Sequence, residues 1–168
     1  MTITDTLVAT RTEVPPVTAA QLDCACPPDP AAISAEMGRA FAVLSEFIGR
    51  NRLQPNAPPR AIYTAFGQEG VKLTVAMPVA APAAPVPASG PVRLGLLPGA
   101  HTLRFTHRGP YRELMGTYGR ITGWLKTEGL IDDDAGWVRF MPTWEEYQND
   151  PRTTPEADLV THIHLPMD

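Results

Sequence analysis

Apolar positions change period several times along the chain, and each change marks a predicted element. After a polar lead, Glu13 to Cys26 reads as an extended segment interrupted by Pro15-Pro16, which suits an edge or a bulge. Asp29 is then a natural N-cap, with Pro30 at the first helical position. The helix that starts there carries Ile33, Met37, Ala40, Phe41, Leu44, Phe47 and Ile48 at spacings of three and four, which makes one buried stripe. It should end by about Arg52, before Pro55 and Pro58-Pro59 forbid continuation. Arg60 to Phe66 and Val71 to Val79 follow as strands around the glycine-flanked loop Gly67-Gln68-Glu69-Gly70.

Ala80 to Pro91 is rich in Pro and Ala and reads as a semi-stiff spacer with no packed structure. Beyond it the first half is repeated. Leu97-Pro98-Gly99 answers Val14-Pro15-Pro16, Gly109-Pro110-Tyr111 answers Cys26-Pro27-Pro28, and Leu165-Pro166-Met167 answers Met77-Pro78-Val79. A second helix carries Leu114, Tyr118, Ile121 and Leu125 on one stripe, and strands are expected over Trp137 to Trp144 and Leu159 to Leu165. Such self-similarity implies two related modules, about 11–79 and 92–168, within one domain spanning 1–168. Gly116, Gly119 and Gly123 each cost the second helix roughly 1 kcal/mol against Ala, so a close approach to the sheet or to a neighbour is the expected reason for them.

The run from Trp137 to Pro151 places two adjacent acids, Glu145 and Glu146, after an alternating aromatic segment. A carboxylate held among Trp and Tyr rings is desolvated, so it must find a donor, bind a cation or take up a proton. Periodicity alone leaves open a plainer outcome, in which both glutamates project into water at a strand end.

Composition narrows the picture. With 168 residues and 43% apolar positions, the chain supports one compact domain with its own core. A net charge of -4 with scattered Arg and Lys argues against direct nucleic-acid binding. The N-terminus lacks a signal-peptide pattern, and no apolar stretch approaches the length of a membrane span, so a cytoplasmic, non-membrane protein is expected. Cys24 and Cys26 read as reduced, half-buried residues. His101, His107, His162 and His164 offer no metal-ligand spacing, and no metal or other cofactor is implied.

T-H-R-G-P-Y-R-E-L at 106 to 114, Thr117-Tyr118 followed by Trp124-Leu125, and W-E-E-Y-Q-N-D-P-R-T-T-P at 144 to 155 together resemble the GyrI-like small-molecule-binding domain, the effector-binding domain of multidrug-sensing transcription regulators. The resemblance implies an α+β fold. In it, two pseudo-twofold strand-helix-strand-strand modules form one antiparallel sheet, with both helices on one face and a ligand cleft on the other. It also implies an aromatic cleft around the glutamate of a W-E-x-Y motif, here Glu145 with Trp144 before it and Tyr147 after it. Glu146 stands beside it, and the motif leaves open which acid points inward. Tyr63 is either a cleft-facing aromatic or a core tyrosine, Phe140 is wall or core, and Tyr111 is placed at the rim. Tyr118 and Trp124 read as core.

An aromatic cleft around one buried carboxylate suits bulky, lipophilic, aromatic or cationic ligands. With both modules filling the chain, no room is left for a DNA-binding head, so a stand-alone binding or sensing protein is expected. The alternative carried by the resemblance is a hydrolase that opens the cyclopropane of DNA-alkylating natural products, with Glu145 and Tyr147 as the acid-base groups.

Overall fold

A computed structural model describes residues 7–87 and 90–167. In chain order the elements are β1 (Thr10–Val14), β2 (Val17–Cys26), α1 (Pro30–Arg50), β3 (Arg60–Gly67), β4 (Gly70–Pro78), β5 (Arg93–Leu97), β6 (Ala100–Arg108), α2 (Leu114–Thr127), β7 (Thr143–Tyr147) and β8 (Val160–Met167). Short 3-10 helices cover Tyr111–Glu113, Asp134–Phe140 and Glu156–Asp158.

α1 begins where its caps require. Asp29 Oδ2 accepts the N–H of Ala32 at 3.0 Å, and Pro30 occupies the first turn, where a missing N–H costs nothing. Its stripe buries Ala40, Leu44, Phe47 and Ile48, each large side chain contributing roughly 1.5–3 kcal/mol of burial. α2 buries Thr117, Ile121 and Leu125. Its glycines do not mark a close approach, because a Cβ built at Gly116, Gly119 or Gly123 meets nothing within 4 Å.

The eight strands form one antiparallel sheet in the order β1-β6-β8-β7-β3-β4-β2-β5. Pro15-Pro16 is therefore a turn between two strands rather than a bulge within one. β1 pairs with β6 near one edge of the sheet, while β2, directly after it, pairs with β4 and β5 near the other. Pro98-Gly99 carries β5 into β6 in the opposite sense. Both turns close only if the sheet curls until its edges meet. At that meeting a Cβ on Gly99 would lie 2.8 Å from the Val14 carbonyl oxygen, so only glycine fits.

Register shows which face each side chain occupies. Leu22 stands opposite Val75, Val75 opposite Ala61, Ala61 opposite Glu145, Glu145 opposite Ile163 and Ile163 opposite Phe105. Directly opposed residues share a face. α1 packs on Leu22, Val75 and Ala61, and α2 packs on Phe105 and Ile163, so both helices cover that face. Glu145 stands in the middle of it. A ligand cleft on the face away from the helices does not contain Glu145; the register turns the carboxyl toward the helices instead.

The core on this face is two separate clusters, one under α1 and one under α2. A third, smaller set, Ala19, Ala76 and Leu97, lies on the other face. The expected strand over Trp137 to Trp144 is corrected as well. Its first part is the 3-10 helix Asp134–Phe140, held to α2 by Trp137 Nε1 donating to Thr122 Oγ1 at 2.9 Å, and only Thr143–Tyr147 is strand. Thr143 Oγ1 donates back to the Phe140 carbonyl at 2.8 Å across the Met141-Pro142 link. No helix among the described residues is long and apolar enough to cross a membrane.

Candidate functional site

Glu145 lies at the seam between the two clusters and is 3% exposed. Tyr118, on α2, donates its hydroxyl to Oε2 at 2.6 Å; Tyr147, on β7, donates to Oε1 at 2.7 Å. Tyr147 belongs to the α1 cluster and Tyr118 packs against the α2 cluster, so the carboxylate ties the two together. Tyr63, opposite Thr143 on β3, points its hydroxyl at Met37 Sδ at 4.0 Å, and Tyr147 approaches the same sulfur at 3.9 Å. Phe41 and Tyr111 stand edge-on to Tyr147, with ring centroids at 6.2 and 5.4 Å, and Trp137 lies 5.9 Å from Tyr118.

The chain has four tyrosines, and all four feel this one carboxylate. Burial first, then the Glu145 charge, pushes the hydroxyls of Tyr63, Tyr118 and Tyr147 up, so they remain neutral donors. Tyr111 is raised by burial, by Asp150 and by Glu145. Burial also pushes the Glu145 carboxyl above the usual carboxylate range, against the two tyrosine hydrogen bonds that favour its charged form. Among the described residues no Arg, Lys or His forms an ion pair with Glu145.

Glu146 points the other way. Its carboxylate meets His164 Nε2 and lies 3.9 Å from Arg60 Nε. Trp144, on the same side, stacks on His164 with centroids 4.9 Å apart and planes 14° apart, under the Arg60 guanidinium at 5.5 Å. Trp144 is thus separated from Glu145 by the sheet. Phe140 does not share a face with Trp144 either: it is buried in the α2 cluster, 6.3 Å from Trp137. Of the expected site residues, Glu145, Tyr147, Tyr63 and Tyr111 come together.

Tyr118 joins them from a helix stripe that reads as core, 27 positions before Glu145. Its ring does pack in the core, and helical spacing carries no signal of where a hydroxyl ends. Two open depressions are lined by other residues, at the crossing turns around Pro15-Pro16 and Gly99 and between the end of α1 and the Pro/Ala spacer. Among the described residues no group of three or more His, Cys, Asp and Glu is placed to hold a metal ion. Burial pushes the Cys24 thiol up to about 11, so it is a packing residue rather than a nucleophile.

The chain belongs to the GyrI-like small molecule binding domain family, whose model matches residues 11–168. Among curated proteins none matches. Among solved structures, the C-terminal domain of EcmrR is similar with a TM-score of 0.69 and 16% identity, over 96% of this chain and 98% of that one. In its DNA complex EcmrR gives a TM-score of 0.75 and 17% identity over 95% of this chain, which spans 57% of that protein's length. A hydrolase encoded by lin2189 from Listeria innocua is similar at a TM-score of 0.57 and 17% identity, over 95% of this chain and 91% of that chain. SAV2435, solved bound to tetraphenylphosphonium, is similar at 0.61 and 10% identity, over 96% of this chain and 94% of that chain. At such identities the likeness is one of fold.

Proposed function

We propose that the chain binds bulky aromatic cations at Glu145, between the α1 and α2 clusters, and serves as a small-molecule binding or sensing domain. One observation carries this reading: a fully buried carboxylate is held only by neutral tyrosine hydroxyls. A buried charge without a counter-ion is costly, and a ligand that supplies the missing positive charge recovers that cost. The aromatic rings around it offer faces that attract delocalised cations without demanding one shape. SAV2435 and its phosphonium ligand are consistent with this reading.

The seam is the natural place for entry. It separates the α1 and α2 clusters, and parting them there breaks the Tyr118–Glu145–Tyr147 link and uncovers the carboxylate. We read the halves as a pseudo-twofold pair of modules, about 11–79 and 92–168 with the spacer 80–91 between them, which meet at the β3–β7 pair and exchange their edge strands β1 and β5. The ligand-contacting set is Glu145, Tyr147, Tyr118, Tyr63 and Tyr111. Trp144 and Phe140, first placed in the cleft, act behind it. Neither nucleic acid nor a membrane is needed as a direct partner.

Titration with tetraphenylphosphonium, followed by quenching of intrinsic fluorescence, tests this. Saturable binding that Glu145→Gln weakens at least ~10-fold is expected, since charge-assisted contacts contribute about 1.5–3 kcal/mol. Equal affinity in the variant would remove Glu145 from the site.

A second reading rests on the same hydrogen bonds. A carboxyl with a raised pKa, within 2.7 Å of two tyrosine hydroxyls, is equipped for proton transfer. On a cyclopropane conjugated to a carbonyl, the acid would protonate the carbonyl oxygen while water, losing its proton to a base, adds to the ring carbon and breaks the strained bond. Turnover of such an alkylator at catalytic protein levels would favour hydrolysis over binding alone.

A further inference from the structure

We propose that the sheet face away from the helices holds a second ligand site, for a phosphate group, built by Arg104, Thr106 and Arg108 on β6 and by His162 on β8. It does not depend on the reading of Glu145, which stands on the opposite face.

Strand parity brings these residues together. Arg104, Thr106 and Arg108 alternate with the buried Phe105 and His107, which pack toward α2, so all three point the other way. Thr106 stands opposite His162, and Arg104 opposite His164. Arg104 and Arg108 are about 13 Å apart along the strand, a gap that two arginine side chains leaning inward close over Thr106. β1 begins at Thr10, opposite Arg104, so among the described residues the rest of β6 has no paired strand on that side. The patch is therefore reachable: Arg108 is exposed, and Arg104, Thr106 and His162 are half-buried.

Charge decides the kind of ligand. Glu146 is the acid whose charge acts on His162, and it is already set against Arg60 and His164. Among the described residues neither Arg104 nor Arg108 forms an ion pair, and Arg104 Nε is buried with no acceptor. His107 and His164 spend their ring nitrogens on Thr117, Pro110, Thr102 and Glu146, whereas His162 makes an edge contact with His164, with centroids 6.4 Å apart. Burial and then the charge of Arg104 hold His162 below its ordinary pKa; His164 and Arg108 push the same way, and Glu146 pushes back. The patch thus offers two permanent positive charges, a hydroxyl and a histidine that an added negative charge would protonate. A phosphate dianion answers all of them: its oxygens accept from both guanidinium groups and from Thr106, and its charge favours the proton on His162.

NMR titration of the histidine ring protons tests this, with inorganic phosphate, phenyl phosphate and sodium chloride at matched ionic strength, and with His162→Gln to assign the resonance. Inorganic phosphate should move the His162 signal saturably and raise its pKa, and chloride should do neither. Arg104→Gln should weaken phosphate ~10-fold or more, while Arg112→Gln, which removes an exposed arginine paired with Glu156, should leave the affinity unchanged. Thermal melts establish that each variant is folded. Phenyl phosphate binding as tightly as inorganic phosphate would assign the site to phosphorylated organic ligands; saturation by inorganic phosphate alone would assign it to the free ion. Equal responses to phosphate and chloride, which screening alone produces, would overturn the proposal without any variant. So would an Arg104→Gln protein that binds phosphate as tightly as the unmodified one.

Discussion

Glu145 and Glu146 are neighbours in sequence and face opposite sides of one strand. Glu146 is embedded among charges, with His164 and Arg60 on its carboxylate and Trp144 beside it. Glu145 is the more buried of the two and has only tyrosines. The first arrangement sets the carboxylate against positive groups of its own chain. The second offers only neutral donors to its carboxylate, and that difference is why we propose a ligand site on the helix-covered face.

The largest expected effect comes from breaking the completed side. Glu146→Ala leaves the Arg60 guanidinium, 5% exposed, without its carboxylate, and should cost about 3 kcal/mol in urea unfolding. A loss below a few tenths of a kcal/mol would mean that His164 and Arg60 do not depend on Glu146.

Titration sharpens the contrast further, because the two acids should give opposite slopes. Burial raises Glu145 above its ordinary pKa, so the folded state holds that proton more tightly than the unfolded chain does. Stability from this group is full below the unfolded pKa and is lost as pH rises through the folded value. Glu145→Gln cannot lose a proton, so its melting temperature should gain on the unmodified protein by a few degrees as pH increases. Glu146 is the reverse. Burial pushes it up, but the hydrogen bond and charge of His164, with Arg60, outweigh burial and lower it. Its contribution is present above the unfolded pKa and lost as pH falls through the folded value, so Glu146→Gln should be most destabilising near neutrality and nearly silent in acid. Melting curves of both variants across pH decide the point; parallel slopes would erase the distinction.

The smallest effects belong to the helix above Glu145. Ala at Gly116, Gly119 or Gly123 meets open space and should stabilise by up to about 1 kcal/mol each, measured by chemical unfolding. A loss at any of them would show a packing role on that side of the molecule.

Much of the fold was legible because its signals are local. Asp29-Pro30 caps α1, glycines bracket the β3–β4 loop, and helical stripes mark both helices. What escaped depends on pairing. Pro15-Pro16 looks the same as a bulge or as a turn until β1 is seen to pair across the sheet with β6. Residues 137–140 alternate like a strand, but a 3-10 turn carrying Trp137 and Phe140 into the α2 core presents a similar spacing. The side of the sheet taken by Glu145 follows only from its register with Ala61 and Ile163. Strand parity does separate Trp144 from Glu145 once β7 is granted; grouping them by motif hid this. Tyr118 was out of reach, since a hydroxyl at the end of a core ring leaves no trace in the apolar pattern.

The most direct measurement is a crystal structure of the protein with tetraphenylphosphonium. The cation is expected between the α1 and α2 clusters, its charge facing the Glu145 carboxylate and its rings against Tyr147, Tyr111 and Trp137. A cation bound on the Glu146 face or at the crossing turns, with the Tyr118–Glu145–Tyr147 link still closed, would contradict it.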